Sequence, residues 1–346
     1  WAYRINGTGP DGTTFMPGNW SYSGPNALDG ETTNTTASNP FPLGTYTTTA
    51  SAEPSLTLLS PSDGDVLAPF STAVDVEFST MNVDFDAAGN QVDITVNGTL
   101  YEDVTSPFNA GVTEGSNTIL IKLLVGGTVV ESETESLTVT VPTVTNVGNI
   151  AALRAGNNDG TYYNLTGEAI VTFTQSYRNQ KYIEDATAAI VIDDAAGVIT
   201  TDYTIGDGVT GIVGTLSEFR GLLQFLPVLD PGAASSTGNN ITPQEVTFTD
   251  LSANPESYEA EVVKIMGVTF DDNTGVFETN KVYALSDGSG AFEMWTTFYG
   301  ADYIGEEIPD TSLDPVGVIV QYDHDTFDGD DTDMDYYFTP RSADDL

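Results

Sequence analysis

The densest group of side chains able to bind a metal is the run DHDTFDGDDTDMD from Asp323 to Asp335, which brings together Asp323, Asp325, Asp328, Asp330, Asp331 and Asp333. Several carboxylate oxygens on one loop suit calcium, the ion this run would take. The spacing is not that of an EF-hand, because Gly329 is misplaced and no Glu closes the loop. The competing reading is an acidic loop solvated by water and sodium. Asp63 and Asp65, and the trio Asp271, Asp272 and Asn273, are smaller oxygen clusters that read as turns.

Catalysis finds few parts. His324 is the single histidine and lies inside the acidic run, away from any nucleophile motif. Cysteine is absent, which removes thiol nucleophiles and Cys/His zinc sites. Gly206-Asp207-Gly208 precedes a strand pattern and not a helix, so it is no phosphate loop. Among 51 acidic residues the spacing singles out no carboxylate pair for glycoside cleavage. No catalytic residue is assigned, and no enzyme is expected.

Aromatic residues offer more. They cluster late in the chain, and Phe292, Trp295, Tyr299, Tyr322 and Tyr336 are read as a platform for sugar rings or peptide, with core packing as the competing role. The same faces beside Arg and Lys would suit single-stranded nucleic acid. The only local basic group, Tyr177 with Arg178, Lys181 and Arg220, is small.

Composition narrows the partners further. The 346 residues are 39% hydrophobic, 10% aromatic and only 17% charged, the balance of a folded chain with room for several cores. Nine basic residues against 51 acidic ones give a net charge of −42. That excess repels nucleic acid and anionic lipid. No run is long and apolar enough to read as a membrane span. Without cysteine the domains must hold by core packing. A chain that begins at Trp1 and not at Met reads as a processed or excised product, compatible with secretion.

The elements that must position these groups are strands. Short Val-, Ile-, Thr- and Tyr-rich runs alternate with Gly, Asn and Asp clusters, and only residues 150–154 and 219–226 suggest a turn of helix. In residues 52–141, strands are expected at 73–78, 91–96, 118–124, 128–132 and 136–141, with Asn97-Gly98 as a hairpin turn. Residues 162–230 read as five strands, at 165–173, 180–184, 189–193, 208–216 and 222–227, and 231–240 reads as a linker. The pattern then repeats: YEAEVVKIMGVTF (258–270) stands against YNLTGEAIVTF (163–173), KVYALSDGSGAFEMWT (281–296) against KYIEDATAAIVIDD (181–194), and DPVGVIVQYD (314–323) against GVTGIVGTLSEF (208–219). DYYFTPRSADDL (335–346) takes the place of LLQFLPVLD (222–230).

KYIEDATAAIVIDD, YTIGDGVTGIVGTL and GLLQFLPVLD resemble the OB-fold-like domains of secreted Bacteroidota proteins, found also beside extracellular nucleases. PSLTLLSPSDGD (54–65) resembles the opening of bacterial Ig-like modules. Thr8-Gly9-Pro10-Asp11-Gly12, Asn19-Trp20 and Phe41-Pro42-Leu43-Gly44 resemble the closing part of a lamin-tail-like domain. The resemblances imply an all-β chain. A partial lamin-tail-like segment (1–50) and an Ig-like β-sandwich (52–141) are followed by two OB-like five-stranded barrels (142–231 and 240–346). They also imply an extracellular or outer-surface protein of the type IX secretion cargo type.

The expected function is non-enzymatic: adhesion, or building an extracellular structure. Open sheet edges in the truncated first segment would let Trp1, Tyr3 and Trp20 serve as a joint for strand exchange into a fibre. The partner is then a second copy of the chain, or a protein or glycan ligand. The alternatives are an accessory binding region of a secreted nuclease or other hydrolase, and a glycan-binding module.

Overall fold

Alternation of apolar and polar residues builds short strands along the chain, and the protein is all-β. The computed structural model describes residues 1–8, 14–43, 53–323 and 336–346. Two units emerge, Trp1–Asp65 with Thr72–Thr140, and Val66–Ser71 with Val141–Leu346. No helix among the described residues is long and apolar enough to cross a membrane.

In the first unit β1 (Ala2–Arg4) and β2 (Trp20–Tyr22) form an antiparallel ribbon. Next come β3 (Ser55–Ser60), β4 (Ala73–Met81), β5 (Gln91–Val96), β6 (Thr99–Tyr101), β7 (Phe108–Gly111), β8 (Gly115–Val125) and β9 (Thr128–Val141). They form a three-stranded sheet, β3-β4-β7, and a four-stranded one, β6-β5-β8-β9. Alternate residues are buried, Val76 and Phe78 on β4 and Ile119, Ile121 and Leu123 on β8. Asn97 and Gly98 both have positive φ, as the two-residue turn between β5 and β6 requires. The two strands expected at 128–132 and 136–141 are one continuous strand, β9, because the intervening Glu and Thr residues give no turn signal strong enough to stop it.

The second unit contains the same arrangement twice. Its first half comprises β10 (Val144–Val147), α1 (Ile150–Arg154), β11 (Tyr162–Leu165), β12 (Ala169–Thr174), β13 (Lys181–Glu184), β14 (Ala189–Ile192), β15 (Gly208–Val209), β16 (Ile212–Phe219) and β17 (Leu222–Pro227). The second half comprises β18 (Gln244–Val246), α2 (Phe248–Ala253), β19 (Val262–Ile265), β20 (Thr269–Phe270), β21 (Val282–Ser286), β22 (Ala291–Trp295), β23 (Val316–Gln321) and β24 (Tyr336–Thr339). The sheet orders are β10-β11-β16-β17-β14-β13-β12-β15 and β18-β19-β23-β24-β22-β21-β20. Strand for strand they coincide, lacking only a partner for the two-residue β15. The parallel pairs coincide as well, β10 with β11 and β14 with β17, then β18 with β19 and β22 with β24.

Several expected boundaries move. The strand expected at 165–173 is two, β11 and β12, which lie far apart in the strand order. The break falls at Gly167, whose backbone passes so close to the Gly148 carbonyl that a Cβ would overlap it. The strand expected at 208–216 is likewise two, β15 and β16, divided at Gly211. Residues 150–154 do form a helical turn, whereas 219–226 is the hairpin of β16 and β17. The stretch 231–240 is no free linker. The Gly208 N–H donates to the Ser236 carbonyl and the Ser235 N–H to the Gly208 carbonyl, and the Ser235 and Ser236 hydroxyls both donate to Glu168 Oε1 at 2.7 and 2.8 Å. A small, polar composition mimics a linker, but here it supplies donors that an adjacent carboxylate and strand edge require.

Each half has its own core, Ile150, Leu153, Leu165, Val171, Ile183 and Phe225 in the first and Phe248, Leu251, Phe277, Met294, Ile319 and Phe338 in the second. A third cluster joins them: Phe173, Tyr182, Val191 and Leu222 pack with Val262, Phe298, Val318 and Val320. Phe173 and Phe298 lie 4.4 Å apart between ring centroids. Burying that layer sets the position of the two halves relative to each other.

Candidate functional site: an uncharged aromatic and amide cleft

A cleft of about 300 Å3 opens above this shared layer, with Tyr182, Leu222, Phe298 and Val320 as its base. The first half contributes Gln175 and Tyr177, which follow β12, Gln180 ahead of β13, and Phe219 and Gln224 from the β16–β17 hairpin. From the second half come Asn280 before β21, Trp295 at the end of β22, Thr297 and Tyr299 just after it, and Gln321 and Tyr322 at the end of β23. Most contributors sit at a strand end or a tight turn, so rigid sheets place them.

The aromatic residues form two groups. Tyr177 and Tyr299 meet from opposite halves with ring centroids 5.2 Å apart, and both are about half exposed or more, 49% and 62%. Trp295 meets Tyr322 edge to face at 5.1 Å, and Phe219 approaches Tyr322 at 6.2 Å. The indole N–H of Trp295 donates to Asn280 Oδ1 at 3.1 Å, and Arg220 lies over the Tyr322 ring at 5.0 Å. Amides fill the spaces between rings. Gln175 Nε2 donates to Gln180 Oε1 at 2.7 Å, while Gln175 Oε1 is buried with no hydrogen-bond partner.

Among the described residues, none lining the cleft carries a charge, although the chain's net charge is −42. Of the neighbouring cations Arg220 covers the Tyr322 ring, whereas Arg178 and Lys181 are directed elsewhere. Arg178 Nε donates to the buried Asp193 at 2.7 Å, and Lys181 Nζ donates to the Asn179 carbonyl at 3.0 Å. Such a lining offers ring faces and neutral donors and acceptors, with no carboxylate, imidazole or amine among its described residues.

Of the residues expected to form the platform, Trp295, Tyr299 and Tyr322 line this cleft. Phe292 does not. It is 5% exposed and stacks on Phe248 at 5.5 Å inside the second core, because β22 turns Phe292 and Met294 inward and Trp295 the other way. Tyr336 stands behind the cleft, its hydroxyl donating to Glu256 Oε2 at 2.6 Å. Tyr177, Phe219 and the five amides were not read from the sequence as ligand-facing. Gln and Asn carry no pattern of their own, and the first-half members lie far from Trp295 in the sequence.

Of the acidic run, only Asp323 is described; its N–H donates to the Arg220 carbonyl at 2.8 Å. Asp325, Asp328, Asp330, Asp331 and Asp333, with His324, lie outside the described residues. Elsewhere, among the described residues, no three acidic or histidine side chains gather in a way that could hold a metal. Asp63, Asp65 and Asp272 each accept a backbone N–H in a turn or between strands. At the other end, Trp1 contacts Tyr3 at 5.6 Å and Phe41 at 5.8 Å, and Arg4 covers Trp20 at 4.6 Å, so these rings spend their faces within the first segment.

No protein-family description matches the chain, and no curated protein matches it. A solved structure of a quinonprotein alcohol dehydrogenase-like protein from Bacteroides thetaiotaomicron is similar over 77% of this chain, at 12% identity and a TM-score of 0.20. The chain spans 57% of that protein's length, and a superposition at this score bears on neither fold nor activity.

Proposed function

We propose that this chain is a non-catalytic extracellular surface protein whose second unit binds a neutral glycan in the aromatic and amide cleft. The observation that carries the reading is that none of the described residues lining the cleft is charged, in so acidic a chain. A hydroxyl-rich, uncharged ligand with apolar ring faces complements stacked Tyr and Trp rings and neutral amides. A peptide or nucleic acid would call for strand edges or cations instead.

The two halves are read as OB-like barrels. The strand order β11-β16-β17-β14-β13-β12, with β11 and β12 consecutive in the chain, supports that reading. On the same reading the first unit is an Ig-like sandwich preceded by the lamin-tail-like segment, and works as a spacer. Resemblance alone supports placement at the outer surface of a Bacteroidota cell through type IX secretion.

The test is a glycan array followed by calorimetry with neutral hexasaccharides such as laminarihexaose, cellohexaose and xylohexaose, on the full chain and on Trp295→Ala. Binding by the parent and its loss in the variant is the expected result. A parent chain that ignores every neutral glycan, or a variant that binds as tightly, would sink the reading.

A further inference from the structure

Behind the cleft wall lies a polar network that glycan contact does not use. Glu259 is 2% exposed, and Arg154 on α1 bridges its Oε1 at 2.8 Å and Glu256 Oε1 at 2.6 Å. The Leu223 N–H also reaches Glu259 Oε1, at 3.4 Å. On its other oxygen Glu259 meets the cleft residue Gln321. With the amide oriented by its neighbours' donors and acceptors, Gln321 Nε2 donates to Glu259 Oε2 at 2.8 Å and to the Gly221 carbonyl at 2.9 Å, and Gln321 Oε1 faces the Tyr336 hydroxyl at 3.1 Å.

The protons in this network do not suffice. Tyr336 has one hydroxyl proton, directed at Glu256 Oε2 at 2.6 Å. With Glu259 ionised, Gln321 Oε1 is therefore left without a full donor. With a proton on Glu259 Oε2 and the amide turned over, Glu259 O–H donates to Gln321 Oε1, Gln321 N–H donates to the Tyr336 oxygen, and Tyr336 still donates to Glu256. The Gly221 carbonyl is then the acceptor left over. Each arrangement leaves one acceptor short, so neither is strongly preferred on hydrogen bonding alone.

The groups facing Glu259 pull in both directions, and burial decides between them. Tyr182 on β13 and Tyr336 on β24 both have hydroxyls raised by burial with the Glu259 charge as a contributor. Glu256 repels it from the preceding turn, and Arg154 is the one cation among them. Nearby, Glu261 faces Glu184 and Asp185, and Glu184 Oε2 accepts the Val262 N–H at 3.1 Å. Burial outweighs Arg154 and pushes the Glu259 carboxyl up to about 7.

Resting on the glycan reading of the cleft, we propose that Glu259 is a positioning residue whose proton sets which way the Gln321 amide presents its donor and acceptor, making glycan binding responsive to pH. The amide is read directly by NMR of the Gln321 side-chain NH2 in the full chain, from about pH 5 to about pH 9. Both of its proton signals are expected to move together along one titration, matched by the Glu259 carboxyl carbon. Flat Gln321 signals overturn the proposal without any variant being needed.

Two variants sharpen the test. Glu259→Gln should abolish the titration. Tyr336→Phe removes an acceptor used only in the protonated arrangement, so it should lower the titration midpoint; an unchanged midpoint argues against the network. Calorimetry with laminarihexaose, cellohexaose and xylohexaose on the two sides of the midpoint should then show affinities differing by about fivefold or more. Equal affinities beside a moving amide overturn the link to binding. No binding at either pH, with the amide still titrating, removes the glycan reading and leaves the amide switch standing.

Discussion

Asp185 and Asp287 perform the same task atom for atom in the two halves of the second unit. Asp185 Oδ2 accepts the first helical N–H of α1, from Ile150, at 2.7 Å, while its Oδ1 accepts from the Thr187 and Ala188 backbone. Asp287 Oδ2 accepts the first helical N–H of α2, from Phe248, at 2.8 Å, and its Oδ1 accepts from the Ser289 and Gly290 backbone. Even the hydroxyls correspond, since Thr187 Oγ1 accepts from the Ala151 N–H at 3.1 Å and Ser289 Oγ from the Thr249 N–H at 3.2 Å. One carboxylate thus ties a tight hairpin to a short helix, satisfying donors that the helix leaves open. Asp185→Ala and Asp287→Ala should each cost about 1–2 kcal/mol, read as a drop in urea midpoint. A loss confined to one of the two would show that the equivalence is geometric only.

A second pair tests the repeat from inside the cores. Gly214 on β16 and Gly317 on β23 each lie beneath the aromatic ring of the adjacent strand, Phe225 and Phe338, both fully buried. A Cβ at either position would come within 3.0 and 2.7 Å of that ring and within 2.3 and 2.7 Å of a backbone carbonyl oxygen. The carbonyl is held in the sheet and cannot yield cheaply. Gly214→Ala and Gly317→Ala are therefore each expected to destabilise by about 1–3 kcal/mol. Chemical denaturation of the two variants checks this, and a neutral effect at both would remove the packing argument.

Much of this repeat could be read in the sequence, because strands announce themselves by alternation and turns by Gly, Asn and Asp. Strand existence and order of succession were visible; the bend at Gly167 was not, since it depends on the close approach of Gly148, 19 positions upstream. The cleft was half visible. Trp295, Tyr299 and Tyr322 stood out as aromatic, but so did Phe292, and only the inward turn of alternate β22 residues separates them. Its amides and its first-half wall depend on how two similar halves pack, which no local pattern encodes.

Because the cleft spans both halves, residues from each should matter to a ligand. Tyr177→Ala and Tyr299→Ala are expected to weaken neutral-hexasaccharide binding roughly tenfold each, about 1.4 kcal/mol. The rings touch at 5.2 Å, so the double variant should lose less than the sum of the two. Calorimetry on the four proteins decides this. An effect from Tyr299 alone would confine the site to the second half, and strict additivity would show that the two rings act independently. Phe292→Ala is the contrasting case, expected to cost about 3–5 kcal/mol of stability as a core residue.

The second unit should grow more stable on mild acidification. Burial pushes Glu259 and Glu261 up to about 7 from an ordinary 4.5, and raises Glu184 in the same direction. A carboxyl whose pKa is higher folded than unfolded binds more protons in the folded state between those two values. Its stabilising contribution is complete below about 4.5 and is lost as the pH rises through about 7. Asp230, Asp250 and Asp272 act oppositely. Thr hydroxyl and backbone donors hold each below its usual 3.8, so their contribution is present above that value and fades in stronger acid. The urea midpoint should therefore rise from about pH 8 to about pH 5 and fall again below about pH 3, with the m-value unchanged so that the shift reports stability. Glu259→Gln should flatten the neutral limb. A midpoint that falls steadily from pH 8 downward would mean that the buried carboxyls stay ionised, held by Arg154 more firmly than burial opposes them.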